Sequence, residues 1–147
     1  RRRGFVETMQ DRGLDAERLV GCGPPPISMR EGASGMAEVL TRWPDTQAVM
    51  CVSDLSAFGA LTECQRRGMR IPGDIAIAGF GAYDIAEHAV PSITTVDVSA
   101  RAIGRLAGDT IVRCLVGKDA LNIRIVTAIE PRLIVRETTG TNPQPAD

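Results

Sequence analysis

Apolar positions along this chain fall into short blocks whose spacing predicts helices alternating with strands. Phe5 and Met9 lie four apart in a first helix that stops at Gly13, and Leu19 to Cys22 reads as a short strand. Gly23-Pro24-Pro25-Pro26 is a stiff loop, because three prolines remove three backbone donors and fix φ. Ser34 can then cap a helix carrying Met36, Val39, Leu40 and Trp43 on one stripe, closed by Pro44-Asp45. Ala48 to Val52 is an unbroken apolar run, the pattern of a parallel strand covered on both faces. After it, Ala57, Leu61 and Cys64 mark a helix ending at Arg66-Arg67-Gly68, and the turn Pro72-Gly73-Asp74 leads into a strand from Ile75 to Phe80. Strand, helix and strand within about thirty residues make a βαβ unit with a right-handed crossover.

Downstream, Ser99 can cap the longest helix, with Ile103, Leu106, Ala107, Ile111 and Leu115 on one face and Gly117 at its end. Ile123 to Ile129 and Leu133 to Val135 read as closing strands separated by Pro131, and the polar tail from Glu137 is expected to fray. The pattern as a whole predicts an α/β fold with a parallel sheet.

Composition narrows the function classes. With 147 residues, 44% hydrophobic, and a net charge of -1, the chain fits a single core and lacks the basic stripe that a nucleic-acid surface uses to neutralise phosphates. Arg1-Arg2-Arg3 reads as a solvated face. No run approaches the length of a membrane span, and no secretory h-region is present. Cys22, Cys51, Cys64 and Cys114 are widely spaced, two of them inside apolar strand or helix patterns, and read as buried free thiols, favouring a reducing cytoplasm.

Catalytic chemistry is sparse. His88 is the single histidine and no nucleophile motif brackets it, so no catalytic residue is assigned. The cysteines and carboxylates do not cluster at metal-ligand spacing, and no metal or other cofactor is expected. Gly79-Phe80-Gly81 is half of a dinucleotide fingerprint without the third glycine or the following helix N-terminus. The informative feature is a coincidence of strand ends. Ser53-Asp54 and Gly81-Ala82 terminate neighbouring strands of one βαβ unit, and such ends form the rim where open α/β sheets bind ligands. Asp54 can cap the helix over residues 55–68 or accept hydrogen bonds from ligand hydroxyls; Phe80 is rim or core, and Gly81 is rim or a positive-φ turn.

Several runs together resemble the LacI/GalR family of bacterial transcription regulators: Ala48-Val-Met-Cys-Val-Ser-Asp-Leu-Ser-Ala-Phe-Gly-Ala-Leu, Gln65-Arg-Arg-Gly-Met-Arg-Ile-Pro-Gly-Asp-Ile-Ala-Ile-Ala-Gly-Phe, Pro91-Ser-Ile-Thr-Thr-Val and Pro131-Arg-Leu-Ile-Val-Arg. The likeness covers residues 1–138 and is nearest to gluconate-utilisation repressors. It implies a periplasmic-binding-protein-like core of two α/β subdomains with an effector between them. Residues 1–138 would be mostly the C-terminal subdomain with its crossovers, helix 99–117 would belong to an N-terminal subdomain otherwise missing, and 139–147 would be a polar tail.

The resemblance also implies roles. Arg1, three residues ahead of Gly4-Phe5, would hold the effector, and the family's Asn-Asp pair falls on Ser53-Asp54. Gly81 stands where sugar-binding members place an aspartate, which suits an anionic effector such as gluconate; Tyr83 or Asp84 would add a contact, and Phe80 joins the effector-binding set from its strand end. Phe58, Leu61 and Ala89 would lie at a homodimer interface, and DNA would be met only through a headpiece missing from this chain. The implied function is sensing of a sugar or sugar acid by a cytoplasmic regulator, with a periplasmic sugar-binding protein of a transporter as the alternative.

Overall fold

A computed structural model of the protein describes residues 1–116 and 128–140. In chain order these form α1 (Arg2–Asp11), α2 (Met29–Arg42), β1 (Ala48–Met50), α3 (Asp54–Arg66), β2 (Ala76–Ala78), α4 (Asp84–His88), β3 (Thr95–Asp97), α5 (Ala100–Val116), β4 (Arg132–Ile134) and a 3-10 turn over Glu137–Thr139. Most of the strand expected over 123–129, the glycine expected to end the long helix, and the tail beyond 140 lie outside the described residues. Positions 128 and 129 carry no regular structure. Among the described residues no helix is long and apolar enough to cross a membrane.

β1 and β2 pair in parallel, Ala48 opposite Ala76 and Met50 opposite Ala78, with α3 as their connection. Beyond the strands the ladder continues: the Cys51 and Asp54 amides donate to the Ala78 and Phe80 carbonyls, and the Gly79 and Gly81 amides donate to Thr94 and Val96. β3 therefore runs beside the end of β2, and β4 pairs antiparallel to β3, Thr95 opposite Ile134. This is the expected α/β architecture, with β3 and α4 as additions that apolar periodicity in so few residues cannot signal.

Several expected boundaries move. α2 starts at Met29 rather than after Ser34, because Ser28 and Glu31 form a capping box: the Glu31 amide donates to Ser28 Oγ (3.2 Å) and the Ser28 amide to the Glu31 carboxylate (2.7 Å). Those bonds hold the Glu31 carboxyl below its ordinary value. Leu19 to Cys22 is not a strand; no described backbone hydrogen bond joins it to β1. Nor is β1 covered on both faces: Ala48 and Met50, on one face, are exposed, Met50 to 46%. The frayed tail is also corrected from Glu137 to Thr139. Thr138 is fully buried, its hydroxyl donating to the Ile77 carbonyl (2.6 Å) and accepting from the Thr94 amide (2.9 Å). Beside it, the Ser92 amide and hydroxyl both donate to Glu137, lowering its carboxyl pKa.

The core lies between α2, α3, β2 and α4, where Met36, Ala57, Ala60, Leu61, Cys64, Ile75, Ile77, Ala86, Ala89 and Ile93 are buried together. α2 and α3 approach closely enough that a Cβ at Gly59 would strike the Met29 carbonyl and one at Gly32 would strike Ser56. Small residues at the crossing let two backbones meet where side chains would hold them apart. α1 and α5 bury no residue fully.

Candidate functional site

The rim is built where β1 and β2 end. β1 runs on through Cys51 and Val52 to Ser53, the N-cap of α3; its hydroxyl accepts from the Ser56 amide (3.2 Å), while the Ser53 amide donates to Ser56 Oγ (3.1 Å). The cap is thus Ser53 and not Asp54. Asp54 is the first helical residue, wholly buried, and its two carboxylate oxygens accept from the Tyr83 amide (2.7 Å) and the Thr95 hydroxyl (2.6 Å). As an open acceptor for ligand hydroxyls it is corrected: both oxygens are engaged inside the protein and no surface remains to meet a ligand.

Beyond β2 the chain arches outward. Gly81 has φ +124°, a region open to glycine, and a Cβ there would come within 3.1 Å of the Tyr83 ring. Gly81 is therefore a backbone requirement, with the ring of Tyr83 lying over the bare Cα. Ala82 follows at φ +54°, and Tyr83 is half exposed. Phe80 is half-buried with the guanidinium of Arg1 over its ring, 4.3 Å from the centroid, and Arg1 Nη1 donates to the Val52 carbonyl (2.6 Å).

The structure thus joins Arg1, Val52 and Phe80 in one stack, and Asp54, Thr95 and the Gly81–Tyr83 backbone in one buried network. Ser53 is half-buried and committed to its cap. Thr95 carried no role at the site in the sequence, and Ala82 entered it only as a strand end beside Gly81. A threonine at a strand start carries no pattern that marks it as a loop anchor, and a positive φ at alanine is invisible in sequence. Two expected dimer contacts are corrected: Leu61 and Ala89 are buried in the protein's own core, Leu61 on the inner face of α3 and Ala89 closing α4 by donating to the Ile85 carbonyl. Phe58, packed against that core, keeps part of its surface exposed.

A cavity of about 670 Å³ lies elsewhere, between α1, β1 and the unpaired Leu19–Cys22 segment. It touches Arg1 and Val52 but none of Ser53, Asp54, Phe80, Gly81 or Tyr83. Of the charged residues along it, Asp15, Arg18 and Asp45 pair with one another, while Arg1 and Arg2 stand at its border. Burial pushes the Cys51 thiol at its wall up to about 12, with Cys22, Cys64 and Asp54 adding to the effect, and burial raises Cys22 as well. Such thiols stay protonated and are poor nucleophiles. Among the described residues no three His, Cys, Asp or Glu side chains are grouped to hold a metal, and His88 is exposed at the end of α4. All four cysteines are free; the expected burial holds for Cys64 and is corrected at Cys114, which is exposed on α5.

Comparison with known proteins places this geometry in context. The profile described as periplasmic binding protein-like domain matches residues 1–139. The transcriptional regulator CelR of Thermobifida fusca is 33% identical over 139 residues, 94% of this chain and 40% of its own length. A LacI family transcriptional regulator from Silicibacter pomeroyi, of known crystal structure, superposes with a TM-score of 0.82 at 35% identity, covering 93% of this chain and 48% of that one. A CelR–cellobiose complex superposes with a TM-score of 0.78 at 31% identity, covering 92% of this chain and 40% of that one. Regulators named GalS, GntR and PurR match as well, so the likeness extends well beyond gluconate-type repressors. The chain spans about 40% of the length of these curated relatives.

Proposed function

The chain belongs to the periplasmic binding protein-like domain family, and from that premise we propose that it is the effector-sensing part of a LacI-family transcriptional regulator. Its ligand is a small sugar or sugar acid, held where Arg1, Phe80, Gly81 and Tyr83 border the ends of β1 and β2, with Ser53 beneath. The observation that carries this reading is the Arg1 stack. A guanidinium held over an aromatic ring and tied to a main-chain carbonyl is oriented in advance, and among the described residues only one of its nitrogens meets a protein acceptor. The remaining donors suit bidentate bonding to a carboxylate or to paired hydroxyls.

Within that class, an anionic sugar acid such as gluconate fits best. Asp54, the carboxylate of the rim, is buried and engaged, and Gly81 presents a bare Cα under the Tyr83 ring. Binding would modulate operator affinity through a DNA-binding portion lying beyond this chain. The regulator works as a cytoplasmic homodimer in this reading, with Phe58 as the contact that retains exposed surface. No catalytic residue, cofactor or metal is assigned. The transporter alternative is not favoured, since the relatives described above are named transcriptional regulators.

Calorimetric titration of the full-length regulator tests the proposal. Gluconate should bind more tightly than neutral hexoses. Hexoses binding while gluconate does not would overturn the anionic assignment, and no binding by any sugar or sugar acid would overturn the sensing role.

A further inference from the structure

We propose that Asp54 and Thr95 are positioning residues for the effector rim: as a buried hydrogen-bonded pair they hold the Gly81–Tyr83 arch in its left-handed shape before a ligand arrives. The proposal rests on the sensing role argued above and concerns how the wall of that site is made, not what touches the ligand.

Gly81 reaches φ +124° at no steric cost, but Ala82 at φ +54° is a side-chain-bearing residue in a region that free chain seldom adopts and that its surroundings must hold. Here each of the three arch amides meets its own acceptor. The Gly81 amide donates to the Val96 carbonyl (2.9 Å), the Ala82 amide to Thr95 Oγ1 (3.3 Å) and the Tyr83 amide to Asp54 Oδ2 (2.7 Å). The Thr95 hydroxyl closes the set by donating to Asp54 Oδ1 (2.6 Å) while its oxygen accepts from Ala82. The arch is thus tied to one buried carboxylate, directly through the Tyr83 amide and by way of the Thr95 hydroxyl for Ala82.

Two further features single out the pair. Asp54 and Thr95 are fully buried, so water does not compete for these bonds. No described salt bridge involves Asp54; its charge sits in the first turn of α3, where the helix dipole favours an anion. Gly79 completes the fit, since a Cβ there would strike Asp54 Oδ1. Neither residue presents surface to a ligand, so any effect on binding passes through the arch.

The test uses the full-length regulator with gluconate and cellobiose as probes, well below the unfolding midpoint of each variant. Thr95→Val keeps the shape and removes both hydroxyl bonds; effector affinity should fall about tenfold as the arch becomes a minor conformer, and Thr95→Ser should restore it. Hydrogen exchange at the Ala82 and Tyr83 amides should quicken in Thr95→Val while amides in the middle of α3 keep their protection. Asp54→Asn, isosteric and still able to accept from Tyr83, should give a smaller change in the same direction and serves if Thr95→Val does not fold. A variant that only unfolds more easily, with affinity within about twofold of the unchanged protein and arch amides still protected, would overturn the proposal. Should the unchanged protein bind neither probe, the gluconate assignment is what fails, and exchange at Ala82 and Tyr83 still decides the arch: faster exchange supports it and unaltered exchange overturns it.

Discussion

α3 and α5 are both helices with an apolar stripe, yet one is the centre of the molecule and the other buries nothing. Of the thirteen residues of α3, seven are buried, and they are mostly small: Ser56, Ala57, Gly59, Ala60, with Leu61 and Cys64 behind them. α5 is longer, seventeen residues with a regular stripe of large aliphatics, but none is buried, and Ile111 and Leu115 stand 60% and 80% exposed. Burial within this chain follows close backbone approach and continuity with the sheet, not the contrast between helix faces. An apolar stripe states that a helix needs a partner surface; it does not say where that surface is.

The comparison can be broken by substitution, beginning with the crossing that makes α3 central. Gly59→Val drives a side chain into the Met29 carbonyl, and the α2–α3 contact must open; about 3 kcal/mol or more of stability should be lost, read as a shift of the urea midpoint. A tolerated valine there would show that the close approach is unnecessary. Next in size, Leu61→Ala should cost about 2–3 kcal/mol through an unfilled core site, whereas Leu115→Ala should stay within about 0.5 kcal/mol. Equal costs would erase the distinction between the helices.

Thiol chemistry sharpens the same contrast, since each helix carries one cysteine. Cys114 on α5 is exposed and should alkylate at once in the folded protein; Cys64 on α3 is buried, with burial pushing its pKa up to about 11, and should react only on unfolding. The raised value also fixes a pH direction. The unfolded thiol ionises near 9.0 and the folded one near 11, so the contribution is complete below pH 9 and declines as pH rises through that window. Alkaline titration of the urea midpoint checks it, with Cys64→Ala as the control.

Much of this molecule was legible in its sequence, for identifiable reasons. Ala48–Met50 and Ala76–Ala78 are apolar and bracketed by turn residues, so the parallel pair and its connecting helix follow from periodicity. The early start of α2 was legible too, in Ser28-x-x-Glu31, but the later serine at 34 obscured it. Leu19–Cys22 has strand composition, yet a strand exists only by pairing, which composition does not report. At the rim, the strand ends pointed to Ser53, Phe80 and Gly81, and the family resemblance added Arg1 and Tyr83. It left the role of Asp54 open between cap and ligand acceptor; the structure makes it neither, because its partners Tyr83 and Thr95 lie 29 and 41 residues away. Long-range hydrogen bonds of that kind leave no local signature. The burial of Thr138 among residues of β2 and the Ser92–Thr94 segment escaped for the same reason.

The central claim is that the Arg1–Phe80 stack is the ligand-facing part of the rim. Its most direct test is calorimetry of the full-length regulator with gluconate, comparing the unchanged protein with Arg1→Ala, a substitution at an exposed residue that leaves the core intact. The unchanged protein should bind gluconate, and Arg1→Ala should lose affinity on the order of 100-fold, the scale of a charge-assisted contact removed. Gluconate bound equally well by both proteins would contradict it.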